Sequence, residues 1–215
     1  MLFDVDGTIL DANQSIRQTM NHVLAEQGQP VFGKAELEGL IGHPLRDILR
    51  TKAKDLAPDA LERMALRYRE VYNESGWVLA QPFPGITDLM SQLRREGVAL
   101  GVVTSKGEEE AEKVFFDLGL GDAVETIVGD DDARPLKPDP APVLEACRRL
   151  GVPVARACMV GDTRFDIEAA RRAGAFAIGV LWGNGPRESL LEAGAQALVR
   201  DVNELGSVIR RWAAA

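Results

Sequence analysis

Leu2-Phe3-Asp4-Val5-Asp6-Gly7-Thr8 is a short apolar run that ends in two carboxylates and a glycine. Apolar runs ending in Gly, Thr or Asp, or nearly so, recur at Leu2 to Val5, Val98 to Thr104, Val124 to Gly129, Ala157 to Gly161 and Phe176 to Leu181. Helical periodicity fills the intervals, as in Ile86, Leu89 and Leu93, then Ala111, Val114, Phe115 and Leu118, then Val143, Leu144 and Cys147. Gly97, Gly119, Gly151 and Gly174 each follow a helical pattern closely and read as C-caps. Strands that are continuously apolar, alternating with helices, predict an α/β fold whose central parallel sheet is covered on both faces.

One stretch breaks the rhythm. From Asn13 to Gln81 the sequence carries helical spacing only: Ile16, Met20, Val23 and Leu24; then Leu45, Ile48 and Leu49; then Leu61, Met64, Ala65, Tyr68 and Val71. A helical unit over 13–81 is therefore expected, inserted into a core domain made of 1–12 and 82–215. Gln81-Pro82-Phe83-Pro84-Gly85 is the expected return hinge, because its two prolines stop a helix.

The chain has 215 residues, 46% of them hydrophobic and 27% charged, which is ordinary globular composition. Its formal net charge of -8 repels phosphate backbones and anionic lipid headgroups, so neither nucleic acid nor membrane is expected as a partner. Asp4, Asp6 and Asp11 interrupt the N-terminus, and no signal peptide is expected. Cys147 and Cys158 show no CxxC spacing and read as core residues, with a reducing, cytoplasmic setting as the default. Phe115, Phe116 and Trp212 are expected to pack helices onto the sheet.

Asp4 and Asp6 can face one cleft, with Gly7 allowing a sharp turn. One carboxylate can then act as a nucleophile while the other moves a proton; the alternative is an Asp-rich turn that caps a helix. In Gly161-Asp162-Thr163-Arg164-Phe165-Asp166, Asp162 sits at a strand end and Asp166 in the first turn of a helix. Carboxylates about 5 Å apart repel by roughly 3 kcal/mol at an effective dielectric of about 20, so gathering several in one crevice requires a cation. Oxygen ligands without His or Cys favour Mg²⁺. Thr104 and Ser105 close a strand where successive N–H groups can bind an anion. Lys137, held between Pro135 and Pro138, offers a point charge to a phosphate. Each of these groups follows a different strand, so all converge outside the carboxyl edge of the sheet. Together they would form a phosphoryl-transfer site.

These motifs (Asp4-Val5-Asp6-Gly7-Thr8, the strand-end Thr104-Ser105, the loop Lys137, and Gly161-Asp162 with Asp166) resemble the haloacid dehalogenase superfamily in content and order. Leu40-Ile41-Gly42-His43-Pro44-Leu45, the Lys137-Pro138-Asp139-Pro140-Ala141-Pro142 loop and Trp182-Gly183 are similar to its phosphoglycolate phosphatase-like branch. The resemblance implies a Rossmann-like three-layer sandwich with the 13–81 insertion as a C1-type cap. It also implies a Mg²⁺-dependent phosphatase acting on a small phosphorylated substrate, as a monomer or homodimer. Asp4 would be the nucleophile and Asp6 the acid and base. Mg²⁺ would be held by Asp4, the Asp6 backbone carbonyl, Asp162 and Asp166, and the phosphoryl group by Thr104, Ser105 and Lys137. His43 and Arg46 are the cap residues expected to select the substrate. A sugar phosphomutase or pyrophosphatase would share this scaffold, and a non-catalytic or receiver-like phospho-signalling domain is the rival from another class. Two features depart from the pattern. Only Met1, Leu2 and Phe3 precede Asp4, short for a central strand unless the chain starts late, and Asp130-Asp131-Asp132 reads as a solvated loop.

Overall fold

The computed structural model describes residues 1–74, 76–131 and 133–214. In chain order the chain begins with β1 (Leu2–Phe3), β2 (Leu10–Asp11), α1 (Asn13–Glu26), α2 (Lys34–Glu38), α3 (Leu45–Lys52), α4 (Pro58–Glu74) and β3 (Gln81–Pro82). It continues through α5 (Ile86–Arg95), β4 (Gly101–Gly107), α6 (Glu108–Asp117), β5 (Thr126–Asp130), α7 (Ala141–Arg149) and β6 (Cys158–Gly161). The last elements are α8 (Arg164–Ala173), β7 (Phe176–Val180), α9 (Arg187–Glu192), β8 (Ala197–Val199) and α10 (Val202–Ala213).

Among the described residues, six strands form one parallel sheet in the order β5-β4-β1-β6-β7-β8. Its residues divide by alternation between two buried clusters. Phe3, Val102, Val160 and Ile178 meet α5, α6 and α10. Leu2, Val103, Met159 and Ala177 meet α7, α8 and α9. Both faces are dry, which is why these strands read as continuous apolar runs. Buried large apolar side chains contribute about 1.5–3 kcal/mol each relative to exposure.

The central strand β1 is only Leu2–Phe3, yet it pairs on both sides, with Gly101 and Val102 of β4 and with Met159 and Val160 of β6. The chain leaves the regular ladder at Asp4, whose N–H still donates to the Val160 carbonyl at 2.9 Å. Strand β4 runs on to Gly107, beyond the expected end at Thr104, with a register shift after Val103. The edge strand β8 has no counterpart in the sequence reading, because three residues flanked by polar groups carry no measurable period.

Between β2 and β3 the described residues form four α-helices and a 3-10 turn, Gly76–Leu79. Strands β2 and β3 pair antiparallel, Leu10 with Pro82 and Asp11 with Gln81, so both crossings lie in one short ribbon. The apolar stripes of α1 and α4 face each other as their spacing predicts, except that Tyr72 rather than Val71 is fully buried. Cys147 and Cys158 are buried free thiols. Phe115 packs inside and Trp212 stacks on Phe176 at 5.7 Å, whereas Phe116 is 78% exposed. Phe116 follows Phe115 on α6 and therefore turns off the buried face. Among the described residues no helix is long and apolar enough to cross a membrane.

Candidate active site

The carboxyl edge of the sheet gathers the residues singled out by the motifs. Asp4 leaves β1, Thr104 and Ser105 lie in β4, Lys137 follows β5, Asp162 follows β6, and Asp166 sits in the first turn of α8. Lys137 Nζ donates to Asp4 Oδ1 (2.8 Å), Asp166 Oδ1 (2.6 Å) and the Val103 carbonyl (2.9 Å). Three acceptors match the three donors of an ammonium. Burial opposes the Lys137 charge, but Asp166 and Asp4 more than offset it and hold the ammonium above its ordinary pKa.

Asp166 is fixed by the capping box of α8: its Oδ2 accepts from the Thr163 N–H (2.9 Å) and hydroxyl (2.7 Å). Asp162 accepts from the Thr8 hydroxyl (3.1 Å) and the Asn184 N–H (2.7 Å). Gly7, at φ +90, lets the loop after Asp6 close onto Asp162, since a Cβ there would lie 2.2 Å from its Oδ2.

Asp4, Asp162 and Asp166 are buried, and each offers an oxygen within 4.8 Å of the others'. Burial is the main cause that pushes the Asp4 carboxyl up to about 7, with Lys137 pulling it back and Asp166 adding to the rise. Burial, followed by Asp166 and Asp4, pushes Asp162 well above the carboxylate range. One lysine does not balance three such groups, and an all-oxygen donor set of this kind fits a hard divalent cation such as Mg²⁺.

The Asp6 carboxylate stands outside this set. Its Oδ2 lies 3.2 Å from Lys106 Nζ, which also bonds Glu110 Oε1 (3.1 Å) and sits 4.0 Å from the centre of the Tyr72 ring. Asp4 and Asp6, two residues apart at one strand exit, thus face different neighbours. Burial works against the Lys106 charge, and Asp6 and Glu110 more than offset it. Thr104 is buried and its hydroxyl accepts from the Lys106 N–H at 3.2 Å, so one N–H of the expected anion nest is taken locally. The Ser105 hydroxyl is buried without a protein partner among the described residues.

A cavity opens over Asp4 and Asp6, lined from the sheet by Thr104, Ser105 and Lys106, from the inserted helices by Ile16, Met20, Ile48, Tyr68 and Arg69, and from the α2–α3 connection by Ile41 and His43. His43 lines it and packs edge-on against Phe165, 4.6 Å between centroids. Arg46 is not among the lining residues. It forms a fork onto Glu62 (2.6 and 2.8 Å) and lies 3.6 Å from Asp130. Asp130 also accepts from Arg69 at 2.9 Å, so the carboxylate expected in a solvated loop is buried between two arginines. Asp132, the last residue of that acidic run, lies outside the described residues. Lys106, Glu110, Arg69 and Asn184 are site residues that the motifs did not single out. Only Lys106 carried a signal, standing next to Thr104-Ser105 at the strand end.

The chain is similar to known proteins in sequence and in fold. The haloacid dehalogenase-like hydrolase family matches residues 1–180. A phosphoglycolate phosphatase of Cupriavidus necator is 32% identical over 97% of this chain and 92% of its own. An N-acetylmuramic acid 6-phosphate phosphatase of Pseudomonas putida is 32% identical over 97% of this chain and 95% of its own. The crystal structure of a hydrolase from Pseudomonas syringae superposes with a TM-score of 0.83 at 25% identity, covering 98% of this chain and 97% of that one. The chain belongs to the haloacid dehalogenase-like hydrolases. Within that family it is an enzyme of the phosphoglycolate phosphatase-like group of phosphatases.

Proposed function

We propose that the protein hydrolyses a small phosphate monoester in two steps through an aspartyl-phosphate on Asp4, with phosphoglycolate the first substrate to test. The observation that carries this reading is the division of the four acids. Asp4, Asp162 and Asp166 cluster with Lys137, while Asp6 faces the cavity on its own cation.

In the first step Asp4 attacks phosphorus and the bond to the leaving oxygen breaks, while Asp6 supplies the proton that oxygen takes up. Asp6 then removes a proton from water, and the water oxygen displaces Asp4 from phosphorus. Asp4, Asp162 and Asp166, with the Asp6 carbonyl, would hold Mg²⁺, which when bound neutralises negative charge on the transferring phosphoryl group. Lys137 keeps Asp4 in place and counters charge beside it. Ser105, with its hydroxyl unpartnered, and the N–H groups around it are the donors available to phosphoryl oxygens. The apolar side chains of α1 and α3 over the site, with His43, restrict the leaving group to a small one and exclude water. Helices α1 to α4 act on this reading as the cap, hinged at the β2–β3 ribbon.

Asp4→Asn should abolish Mg²⁺-dependent release of phosphate while leaving the circular dichroism spectrum unchanged. Hydrolysis of an aryl phosphate at an undiminished rate would overturn the assignment. Turnover of phosphoglycolate, N-acetylmuramic acid 6-phosphate, pyrophosphate and sugar phosphates, compared by kcat/KM, identifies the substrate.

A further inference from the structure

We infer that Lys106, backed by Glu110, is a positioning residue that holds the Asp6 carboxylate on the leaving-group side of the cavity and away from the three-carboxylate cluster. The inference rests on the phosphatase reading above. Asp6 follows Asp4 by two residues at the same strand exit, and no backbone rule sends its side chain to one side rather than the other. On one side lie Asp4, Asp162 and Asp166; on the other lies the Lys106 ammonium, 3.2 Å from Oδ2.

Lys106 is itself held from several directions. Its N–H donates to the Thr104 hydroxyl, its Nζ lies over the Tyr72 ring, and Glu110 accepts from Nζ at 3.1 Å. Both Lys106 and Glu110 side chains are only 4% exposed. Glu110 thereby gives the lysine a partner of its own, which a buried ammonium requires. Glu110 comes from α6 and Lys106 from β4, so the pair spans a strand-to-helix corner whose geometry the sheet fixes.

The consequence for chemistry is selective. Proton transfer from the Asp6 carboxyl to the leaving oxygen accompanies cleavage of the P–O bond, whose electron pair stays on that oxygen. An ester with a strongly basic leaving oxygen depends on that proton, whereas a nitrophenolate departs without it.

The test is kcat/KM for the full-length protein with Mg²⁺ on a series of monoesters running from p-nitrophenyl phosphate to alkyl phosphates. Lys106→Met is expected to lose about 10²-fold on alkyl esters and less than about tenfold on the nitrophenyl ester. Lys106→Arg should recover most of the difference. If Lys106→Met does not fold, Lys106→Met/Glu110→Gln removes the pair together and should show the same split. Equal losses on all esters by a folded variant would overturn the inference, as would a large loss of Mg²⁺ affinity by calorimetry, which would tie Lys106 to the metal cluster instead. Wild-type protein inactive on every ester would overturn the phosphatase reading itself, an outcome separate from any result with the variants.

Discussion

Asp4 illustrates what a buried residue costs and what it makes possible. In the fold its carboxyl titrates at about 7 against an ordinary 3.8, raised first by burial. Between these values the native state of the metal-free protein keeps a proton that the unfolded chain has lost, so stability falls as pH rises across that window and levels off above it. Asp162, pushed up by burial and by both neighbouring acids, acts in the same direction. A divalent cation binds the deprotonated carboxylates and reverses the penalty. Thermal unfolding should show a metal-free Tm lower at about pH 8 than at about pH 5. Mg²⁺ should raise Tm more at the higher pH, adding about 2.7 kcal/mol at roughly a hundred times Kd. An equal Mg²⁺ shift at both values would contradict this account.

Among the elements, α8 shows how local sequence chemistry serves the site. Thr163-Arg164-Phe165-Asp166 is a capping box in which Asp166 accepts from both the N–H and the hydroxyl of Thr163, leaving Oδ1 for Lys137. The cap that starts the helix therefore also aims a cluster carboxylate. Thr163→Ala should cost about 1 kcal/mol in denaturant unfolding and also weaken Mg²⁺ binding, whereas Thr163→Ser should restore both. A stability loss with unchanged Mg²⁺ affinity would confine Thr163 to capping. The sequence placed Asp166 in the first turn of a helix, and the structure adds that Thr163, three residues before it, is the partner that fixes it. The short β1 shows the opposite case. Two residues form a central strand only because β4 and β6 supply ladders on both sides.

Across the whole molecule, two arginines of the inserted helices, Arg46 and Arg69, meet Asp130 at the end of β5. Because Arg46 is also forked onto Glu62, its substitution should act through the seating of the helices rather than through substrate choice. Arg46→Ala is expected to lower kcat/KM by a similar factor for every ester. A loss confined to one class of leaving group would instead show direct recognition. The position of Arg46 in Gly42-His43-Pro44-Leu45-Arg46 brings it near the site in sequence, but α3 turns it toward α4, a choice made by Glu62 sixteen positions away.

The sequence by itself determined the alternation of strands and helices, the insertion after the first strand, and the acids, hydroxyls and lysine at the strand ends. These follow from short-range periodicity and from the rule that open α/β sheets gather function at their carboxyl edge. Only the tertiary structure decided how the four aspartates divide, which arginine lines the cavity, and that Lys106 and Glu110 stand behind Asp6. Those choices depend on side-chain direction where elements distant in the chain meet, and no local period encodes which of two neighbours a carboxylate will face.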